Sequence, residues 1–369
     1  MAFSINIHAA GLDPVTTSQI YKIASVPIFE EQIAIMPDAH AGAGCCIGFT
    51  GKIKDYVCPN FVGVDIGCGV RGVFLGDIEI DFAALDTYLK NKIPIGMKHR
   101  DKTSGNITKE DLDIILDAVG VQEVIGKDKY PVGKQVGTLG GGNHFIEIGE
   151  SEGGKWLFIH SGSRNFGLTV ANHYQKIAES KNILKTPKGM EVLSLDGEGE
   201  DYLRDMRIAQ KVASVNRAVM IREIVEYLDA DVKYDIDCVH NFIGDDNYIR
   251  KGAISAYAGE PVLIPLNMRD GTIIGIGKGN KDYNFSAPHG AGRQFGRGVM
   301  KRKLASGEVT EEMFQNEMYG IYTTTANAGT IDESPFAYKP LELIQPYLEE
   351  TVSINCLVKP LYNLKGSDS

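Results

Sequence analysis

The chain has 369 residues, which is enough for one large domain or two of ordinary size. Its composition, with 43% hydrophobic and 23% charged residues, is normal for a folded protein that buries a sizeable core. No run approaches the roughly 18 apolar residues of a membrane-spanning helix, and the N-terminus lacks the pattern of a signal peptide, so we expect a cytoplasmic protein.

The formal net charge of −10 bears on the possible partners. Binding to nucleic-acid phosphates is driven by Lys and Arg, so the acidic sum argues against such a partner, although a local basic patch matters more than the total. One candidate patch is residues 98–100, and the other consists of Arg293, Arg297, Lys301, Arg302 and Lys303. From spacing alone, we interpret both patches as solvated surface.

Strand-like and helical patterns occur in irregular order along the chain. Strands are predicted at residues 32–36, 48–53, 61–66, 70–75, 156–160, 235–240, 261–266 and 271–276, and helices at residues 80–92, 109–119, 200–229 and 341–351. Thr108 and Asp111 are placed to cap the second helix, and Pro346 is expected to kink or break the last one. Because strands do not alternate regularly with helices, we predict a single α+β domain over residues 1–369, with residues 77–134 as a peripheral helical insertion.

The six cysteines show no CxxC pair and no disulfide-scaffold spacing, so each is expected to be a buried hydrophobic residue or a metal ligand. Within the Gly-rich residues 63–69, Asp65 and Cys68 stand three residues apart, and the glycines leave both free to turn toward one ion. Taken alone, this segment is better explained as a turn with a buried cysteine.

Three histidines lie beside glycines or at the ends of predicted strands. Asn143 and His144 follow three consecutive glycines, whose backbone can approach a phosphate closely. His160 ends one strand and precedes two serines and Arg164, which suits a phosphate or an oxyanion, and His240 ends another strand. One strand-end histidine is more often structural, but three of them beside polar partners are hard to explain as core packing.

A further histidine, His289, lies between Pro288 and two glycines, which fix the backbone and leave the imidazole unobstructed. A neutral imidazole is a competent nucleophile toward phosphorus, and Arg293 could neutralise the phosphate under attack. By itself, the segment could equally be a metal ligand or a turn.

Together these segments predict a cluster that binds one or two metal ions, with His289 outside it as a possible nucleophile. The candidate ligands are Asp65, Cys68, His144, His160 and His240. Their cysteine and histidine donors favour zinc on softness alone. The other histidines with no such neighbours, His8, His99 and His173, are expected to be surface residues.

The motifs VGVDIGCG, GGGNHF, HSGSRNFG, VHNF and HGAGR, between residues 63 and 293, resemble those of the RtcB family of RNA ligases, in the same order. SPFAYK at residues 334–339 and LKG at residues 364–366 resemble the closing motifs of that family. The resemblance covers nearly the whole chain. It implies a single-domain α+β fold of stacked mixed β-sheets flanked by helices, a site for two manganese ions, and the use of GTP.

The resemblance also implies a role for each candidate ligand. Cys68 would bridge the two ions, Asp65 and His144 would hold one of them, and His160 and His240 would hold the other. By the same resemblance, an RNA 3′-phosphate, formed where needed by opening a 2′,3′-cyclic phosphate, would be activated with GMP and joined to an RNA 5′-hydroxyl.

His289 would be the catalytic residue that attacks the α-phosphorus of GTP and carries the guanylate. Glu147, Tyr338 and Lys365 would read or stack on the guanine. The full set of implied GTP or GMP contacts is Asn143, Glu147, Asn241, Gly290, Ala291, Gly292, Arg293, Tyr338 and Lys365. Arg164 and Arg293 would hold RNA or nucleotide phosphates.

Two other functions are open at this point. A metal-dependent phosphoesterase would use the same cluster to activate water without a nucleotide. A catalytically silent RNA-binding or adaptor protein would have lost a ligand or the nucleophile, and no such loss is visible here. The resemblance leaves open whether the RNA is a spliced tRNA or a broken strand under repair, and whether an archease-type activator takes part.

Overall fold

Two large β-sheets and the helices around them form the protein. The computed structural model describes residues 4–126 and 130–366. In these residues the strands are β1 (Ser4–Ile7), β2 (Phe29–His40), β3 (Ile47–Ile53), β4 (Tyr56–Val57), β5 (Gly69–Gly76), β6 (Phe145–Ser151), β7 (Gly154–Ser161), β8 (Leu193–Ser194), β9 (Tyr234–Val239), β10 (Asn241–Ile243), β11 (Tyr248–Lys251), β12 (Ala253–Ser255), β13 (Pro261–Asn267), β14 (Gly271–Gly277), β15 (Ser286–Pro288) and β16 (Val352–Lys365).

The helices in the same residues are α1 (Pro14–Ala24), α2 (Phe82–Lys92), α3 (Lys109–Ile125), α4 (Val132–Gln135), α5 (Arg164–Lys181), α6 (Glu198–Leu228), α7 (Arg297–Ser306), α8 (Glu311–Glu317) and α9 (Leu341–Thr351). Short 3-10 helices span Pro59–Phe61, Lys281–Tyr283, Ala328–Glu333 and Pro335–Ala337. None of the helices in the described part of the chain combines the length and the apolar composition that crossing a bilayer requires.

The larger sheet joins its strands in the order β13-β14-β16-β6-β7-β5-β9, and the smaller sheet in the order β1-β2-β3-β11-β10. Strand pairs in the larger sheet are antiparallel, whereas β1 and β2 of the smaller sheet run parallel. Strands from distant parts of the chain therefore become neighbours, and residues at their ends meet at one edge of the larger sheet.

Helices cover the sheets through their apolar faces. The long helix α6 buries Met206 and Val212 in a core that it shares with α3, α5 and the smaller sheet. On the larger sheet, Ile344 and Leu348 of α9 pack into a second core. Each such side chain contributes about 1.5–3 kcal/mol when it is fully removed from water.

The predicted α+β class is confirmed, as are most of the predicted strands and helices. The strand predicted at residues 61–66 is wrong. Pro59–Phe61 form a 3-10 helix, and the chain then turns with Gly63 and Gly67 at positive φ. Phe61 and Ile66 are fully buried, so the apolar run in the sequence reflected burial and not an extended backbone.

Two predictions about helix ends and interiors have different outcomes. The cap on α3 is confirmed, because the Thr108 side chain accepts from the Asp111 amide and the Asp111 carboxylate accepts from the Thr108 amide. Pro346 does not break α9, which is continuous through it. Pro346 and Glu342, whose carbonyl loses its helical partner, are both exposed, so water can satisfy that carbonyl.

The two long helices within residues 77–134, α2 and α3, pack onto α6. Leu85 and Leu89 of α2 share an apolar cluster with Met220 and Ile224 of α6, and α3 lies against both α5 and α6. That this segment is a peripheral insertion stays a prediction.

Candidate active site

The five predicted metal ligands meet at one edge of the larger sheet. Asp65 and Cys68 precede β5, His144 precedes β6, His160 lies in β7, and His240 follows β9. The pairing of β5 between β7 and β9, and of β6 with β7, places these chain segments side by side. The sheet topology thus brings together residues that are up to about 175 positions apart in the sequence.

Cys68 lies at the centre of the cluster. Its Sγ is 3.5 Å from Nε2 of His144 and 3.2 Å from Nε2 of His160. Nε2 of His160 is 3.3 Å from Nε2 of His240, and Nε2 of His144 is 3.2 Å from Oδ2 of Asp65. The donors form two sets that could each hold a metal ion, one of Asp65, Cys68 and His144 and one of Cys68, His160 and His240, and Cys68 belongs to both.

The chemistry of this donor set fits divalent transition-metal ions. His160 directs Nδ1 at the carbonyl oxygen of Asn143, 3.1 Å away, which leaves Nε2 unprotonated and aimed into the cluster. Burial lowers the pKa of His160 and of His240 well below the usual value, so both rings are neutral, as ligation requires. The donor atoms of both sets converge in a buried space, and a bound cation would offset the cost of burying them together.

The acidic members of the cluster differ in protonation. Burial and the nearby Asp65 raise the pKa of the Cys68 thiol well above its usual value, so the thiolate forms only beside a cation. Burial also raises the pKa of Asp65, but the hydrogen bond and the charge of His144 outweigh it and bring the value to about 2. Asp65 is therefore a ready anionic ligand at neutral pH.

His289 lies beside the second ligand set. Its ring centroid is 4.8 Å from that of His240, and the two rings are steeply inclined. Nδ1 of His289 lies 2.7 Å from Oδ2 of Asp38, a close contact that is not well aligned as a hydrogen bond. The same carboxylate oxygen accepts from the His289 backbone amide at 3.2 Å. With Nδ1 facing Asp38, Nε2 is the ring nitrogen that is free to react.

Asp38 is a functional candidate that the sequence reasoning missed. It is fully buried in β2, and the loop carrying His289 packs directly against it. Gly292 adopts a φ of +72°, and a Cβ there would lie 2.1 Å from the Asp38 carbonyl oxygen, so only glycine permits this approach. The sequence signal was the Pro-Asp-Ala-His segment at residues 37–40, just before a Gly-rich stretch.

Replacing Asp38 by asparagine is expected to impair the reactivity of His289 while leaving metal content unchanged. An amide of the same size carries no charge to offset positive charge on the ring, and its NH2 group can donate to Nδ1 and favour the wrong tautomer. In serine proteases the equivalent change costs about 10⁴-fold through the wrong imidazole tautomer, and we expect a loss on the order of a hundredfold or more here. The measurement is the rate of covalent GMP transfer to the protein.

The control for this variant is Asp205→Asn, which changes another buried aspartate, hydrogen-bonded to Tyr174 in the helical core and absent from the cavity. It should keep the rate of GMP transfer. If Asp38→Asn reacted as fast as the unmodified protein, the carboxylate would have no part in orienting His289.

The cluster opens into a cavity of about 990 Å³, which is large enough for a nucleotide. Predicted residues on its lining include Asp65, Cys68, Asn143, Glu147, His160, His240, Asn241, His289, Gly290, Ala291, Gly292, Arg293, Tyr338 and Lys365. His144 and Arg164 are not on that lining. The guanidinium of Arg164 donates to Thr138 Oγ1 and to the Gly96 carbonyl, behind the metal ligands.

One wall of the cavity carries a buried carboxylate. Glu147 on β6 accepts from Asn363 Nδ2 at 2.9 Å and from Thr272 Oγ1 at 3.4 Å. Burial raises the pKa of Glu147 to about 7, against the opposing effects of Asn363, Lys365 and Thr272. Because β16 pairs with β6, Asn363 lies opposite Glu147 and Lys365 lies opposite Phe145.

A second buried carboxylate, Glu333, contacts the cationic side chains and the tyrosine on the same wall. The Tyr338 hydroxyl donates to it at 2.5 Å, Arg293 forms an ion pair with it, and Lys365 Nζ lies 3.4 Å away. The guanidinium of Arg293 also stacks over the Tyr338 ring at 5.1 Å. Arg297 Nη2 lies 3.6 Å from the same carboxylate.

The sequence reasoning did not single out Glu333, because its neighbours are known only from the fold. It also gave no role to Lys251, a buried cation on the cavity lining that donates to the Asn60 carbonyl at 2.8 Å. Asn241 lines the cavity, and its side chain also contacts the Asp65 carbonyl and the Gly252 amide, which holds the loop of Asp65 in place. Its contact with a nucleotide stays a prediction. His8, His99 and His173, which were expected to be surface residues, are half-buried and lie outside both ligand sets.

Comparison with known proteins gives a consistent result. The sequence pattern of the family described as tRNA-splicing ligase RtcB matches residues 19–366. The RNA-splicing ligase RtcB of Escherichia coli is 30% identical, over 94% of this chain and 93% of that protein. The tRNA-splicing ligase RtcB of Aeropyrum pernix is 27% identical over 95% and 91% of the two chains. The RNA-splicing ligase RtcB homolog 1 of Entamoeba histolytica is 27% identical over 94% and 83%.

Proposed function

This chain belongs to the RtcB family of tRNA-splicing ligases. From that premise, we propose that it uses GTP to join an RNA 3′-phosphate or 2′,3′-cyclic phosphate end to an RNA 5′-hydroxyl end. The observation that carries the proposal is the position of His289. Its ring lies beside His240 at the edge of the two metal-ligand sets and is backed by the buried Asp38. A reactive imidazole, a metal cluster and a nucleotide-sized cavity meet at one place.

The two ligand sets would hold two manganese ions, with Cys68 between them. When bound, the ions supply positive charge that polarises phosphoryl oxygens and orients the incoming group. The thiolate does not argue against manganese, because metal supply and geometry decide occupancy more than raw affinity does. The other donors are Asp65, charged at neutral pH, His144, and the neutral rings of His160 and His240.

In the first transfer, Nε2 of His289 bonds to the α-phosphorus of GTP as the bond to the β-phosphate oxygen breaks and pyrophosphate leaves. Asp38 faces Nδ1 and stabilises the positive charge that the ring acquires. In the second, an oxygen of the RNA 3′-phosphate attacks the same phosphorus, the N–P bond breaks, and His289 returns to its neutral form. In the third, the 5′-hydroxyl oxygen attacks the activated RNA phosphorus, GMP leaves, and the hydroxyl proton is released.

Selection of guanine is assigned to Glu147, Lys365 and Tyr338. An ionised carboxylate only accepts hydrogen bonds and an ammonium only donates them, which matches the N–H groups and the carbonyl of guanine but not the edge of adenine. The pKa of Glu147, near 7 without a ligand, would be lowered by the two N–H donors of the base. A wrong base would leave these buried groups without hydrogen-bond partners, so the pocket rejects it strongly.

The cavity favours a ligase over a phosphoesterase that only activates water. Hydrolysis needs the metal cluster, but it does not need Glu147 and Lys365 buried in one wall or an imidazole oriented by Asp38. An adaptor without activity would need none of them.

The experiment that tests the proposed function uses RNA ends of defined chemistry. With GTP and Mn²⁺, an RNA with a 2′,3′-cyclic end and a partner with a 5′-hydroxyl should be joined. An RNA with a 3′-hydroxyl should not react, because it offers no phosphate oxygen to accept GMP. The phosphate at the new junction should derive from the 3′ end, and isotope labelling of that end traces it.

Two outcomes would contradict the proposal. Joining of a 5′-phosphate to a 3′-hydroxyl would show the opposite polarity and exclude the mechanism through His289. Hydrolysis of the cyclic end, under conditions in which GTP neither labels the protein nor supports joining, would assign the site to a phosphoesterase.

A spliced tRNA and a broken RNA both present these ends. An archease-type activator, if used, would raise the rate without changing which ends react.

A further inference from the structure

Residues 289–303 contain five basic residues and no acidic one, although the chain carries a formal net charge of −10. They run from the reactive-histidine segment into helix α7 (Arg297–Ser306). The basic residues are Arg293, Arg297, Lys301, Arg302 and Lys303. The sequence alone was better explained by a solvated surface, but the fold places this segment at the mouth of the cavity.

Helix α7 begins on the cavity lining and leads away from it. Gln294, Phe295 and Arg297 line the cavity, and a Cβ on Gly142, in the Gly-rich loop opposite, would lie 2.7 Å from Arg297 Nη2. Arg297 therefore spans the mouth. Lys301, four residues further on, lies on the same helix face about 6 Å along the axis.

Arg302 also points back toward the mouth. Its Nη1 lies 3.6 Å from the position that a Cβ on Gly298 would occupy, one turn nearer the cavity. Glycine at 298 leaves that surface free for the guanidinium. Arg302 and Lys301 thus continue the positive charge of Arg297 outward from the cavity.

The charges of Lys301 and Arg302 are not used inside the protein. Both residues are exposed, and within residues 4–126 and 130–366 neither forms an ion pair. The other cations of the segment are engaged, since Arg293 and Arg297 contact Glu333 and Lys303 contacts Glu308. α7 is held in place from its other side by Met300, which is fully buried in a small core with Phe314 and Ile331. The helix is therefore a fixed support for two free cations.

We propose that this face of α7, which we call the α7 track and define as Arg297, Lys301 and Arg302, binds the backbone phosphates of the RNA strand whose end reacts in the cavity. The inference rests on the proposed function. A strand whose terminal phosphate lies near His289 must leave through the mouth, and the α7 track is the positive surface that the structure shows there. Lys and Arg on a phosphate backbone bind without reading the bases. The track therefore contributes affinity but no sequence preference.

The test compares a double variant, Lys301→Gln with Arg302→Gln, with the unmodified protein. The probe is a fluorescent single-stranded RNA of roughly 12 nucleotides ending in a 3′-phosphate, and binding is followed by fluorescence anisotropy at several salt concentrations. We expect the affinity of the double variant to fall on the order of tenfold at low salt. The slope of log affinity against log salt should shrink by about 1.4, since each lost phosphate contact on a single strand contributes about 0.7.

The matched control neutralises Lys176 and Lys211, which are exposed on α5 and α6, form no ion pair among the described residues and are absent from the cavity lining. Lys176→Gln with Lys211→Gln should keep both the affinity and the salt slope, although it makes the same change in net charge. Equal thermal unfolding midpoints of the two double variants would show that both are folded.

The outcomes separate the inference from the proposed function. If the unmodified protein bound the RNA and the α7 variant bound it with the same affinity and salt slope, the α7 track would not be the RNA path. That result would leave the proposed function intact and would point to a protein partner for the basic face. Equal losses in the α7 variant and the control would show a general charge effect and would also overturn the track. If the unmodified protein bound no RNA, the proposed function itself would fail.

Discussion

Replacing His289 by alanine is expected to abolish covalent GMP transfer to the protein and, with it, strand joining. The imidazole is the nucleophile of the proposed first step, and its Nδ1 and backbone amide both face Asp38. Removal of a covalent nucleophile lowers turnover by several orders of magnitude, so we expect a loss of 10⁴-fold or more, roughly to the background rate. Incubation with α-labelled GTP and Mn²⁺, followed by a test for label that acid removes and base does not, measures the step.

Metal binding should survive this change, because His289 belongs to neither ligand set. Calorimetric titration with Mn²⁺ is expected to give two ions in the His289→Ala variant, as in the unmodified protein. The control is His173→Ala, which removes a half-buried histidine of α5 outside the cluster and should leave labelling unchanged. A normal yield of GMP adduct in His289→Ala would show that another residue carries the guanylate.

Replacing Cys68 by serine is expected to weaken both metal sites at once. Cys68 is the member that the two ligand sets share, and its thiolate would neutralise charge between the ions. A buried serine hydroxyl does not ionise in its place, so two cations would lie close together without the bridging anion. Loss of partners that only orient metal ligands typically costs 10–100-fold in affinity, and loss of this direct ligand should exceed about a hundredfold.

The comparison that isolates the bridge is His240→Ala. That variant removes a ligand from one set and leaves Asp65, Cys68 and His144 in place, so calorimetry should show one strong ion remaining. Cys68→Ser should instead lose both, and with them GMP transfer and strand joining. The control is Cys356→Ser, which changes a half-buried cysteine on β16 outside both sets and should have no effect. Two tightly bound ions in Cys68→Ser would disprove the bridge.

The candidate metal ligands and His289 could be singled out from sequence because each stands in a short local pattern. Glycines next to Asp65 and Cys68, or before His144, are visible without knowing the fold. The structure brings the five predicted ligands into one cluster, and His289 lies beside it. Local patterns can reveal the type of a functional residue, but not which residues from other segments will lie against it.

Asp38 and Glu333 illustrate that limit. Asp38 meets His289 across 251 positions of sequence, and Glu333 meets Arg293 across 40. The sequence signal for Asp38 is only the Pro-Asp-Ala-His segment at residues 37–40, and Glu333 lies just outside the SPFAYK motif. Their importance comes from burial beside a functional group, and burial of a charged residue is set by tertiary packing.

The secondary structure shows the same contrast between elements set by neighbouring residues and elements set by residues far away in the sequence. The helix α3 could be predicted from its periodicity, and its start from a capping box, a pattern of four residues. The strand β16 could not be predicted in this way. Its buried half carries the polar residues Asn363 and Lys365, which interrupt the alternation of apolar and polar residues that is typical of a strand. Those side chains are buried because they line the cavity and contact Glu147 and Glu333. The polar residues that line the cavity thus prevented β16 from being predicted as a strand.

The position of β16 in the larger sheet has a consequence for how the protein is made. It lies between β14 and β6, and Asn363 meets Glu147 across 216 positions of sequence. As the chain emerges from the ribosome, every candidate metal ligand and His289 is synthesised before residues 352–365, so the growing chain has β14 and β6 with open edges and an incomplete cavity wall. Pairing over such a distance is slow and leaves apolar edges exposed in the meantime. Until β16 pairs with both strands, Glu147 lacks its Asn363 partner and the cavity wall that carries them is incomplete.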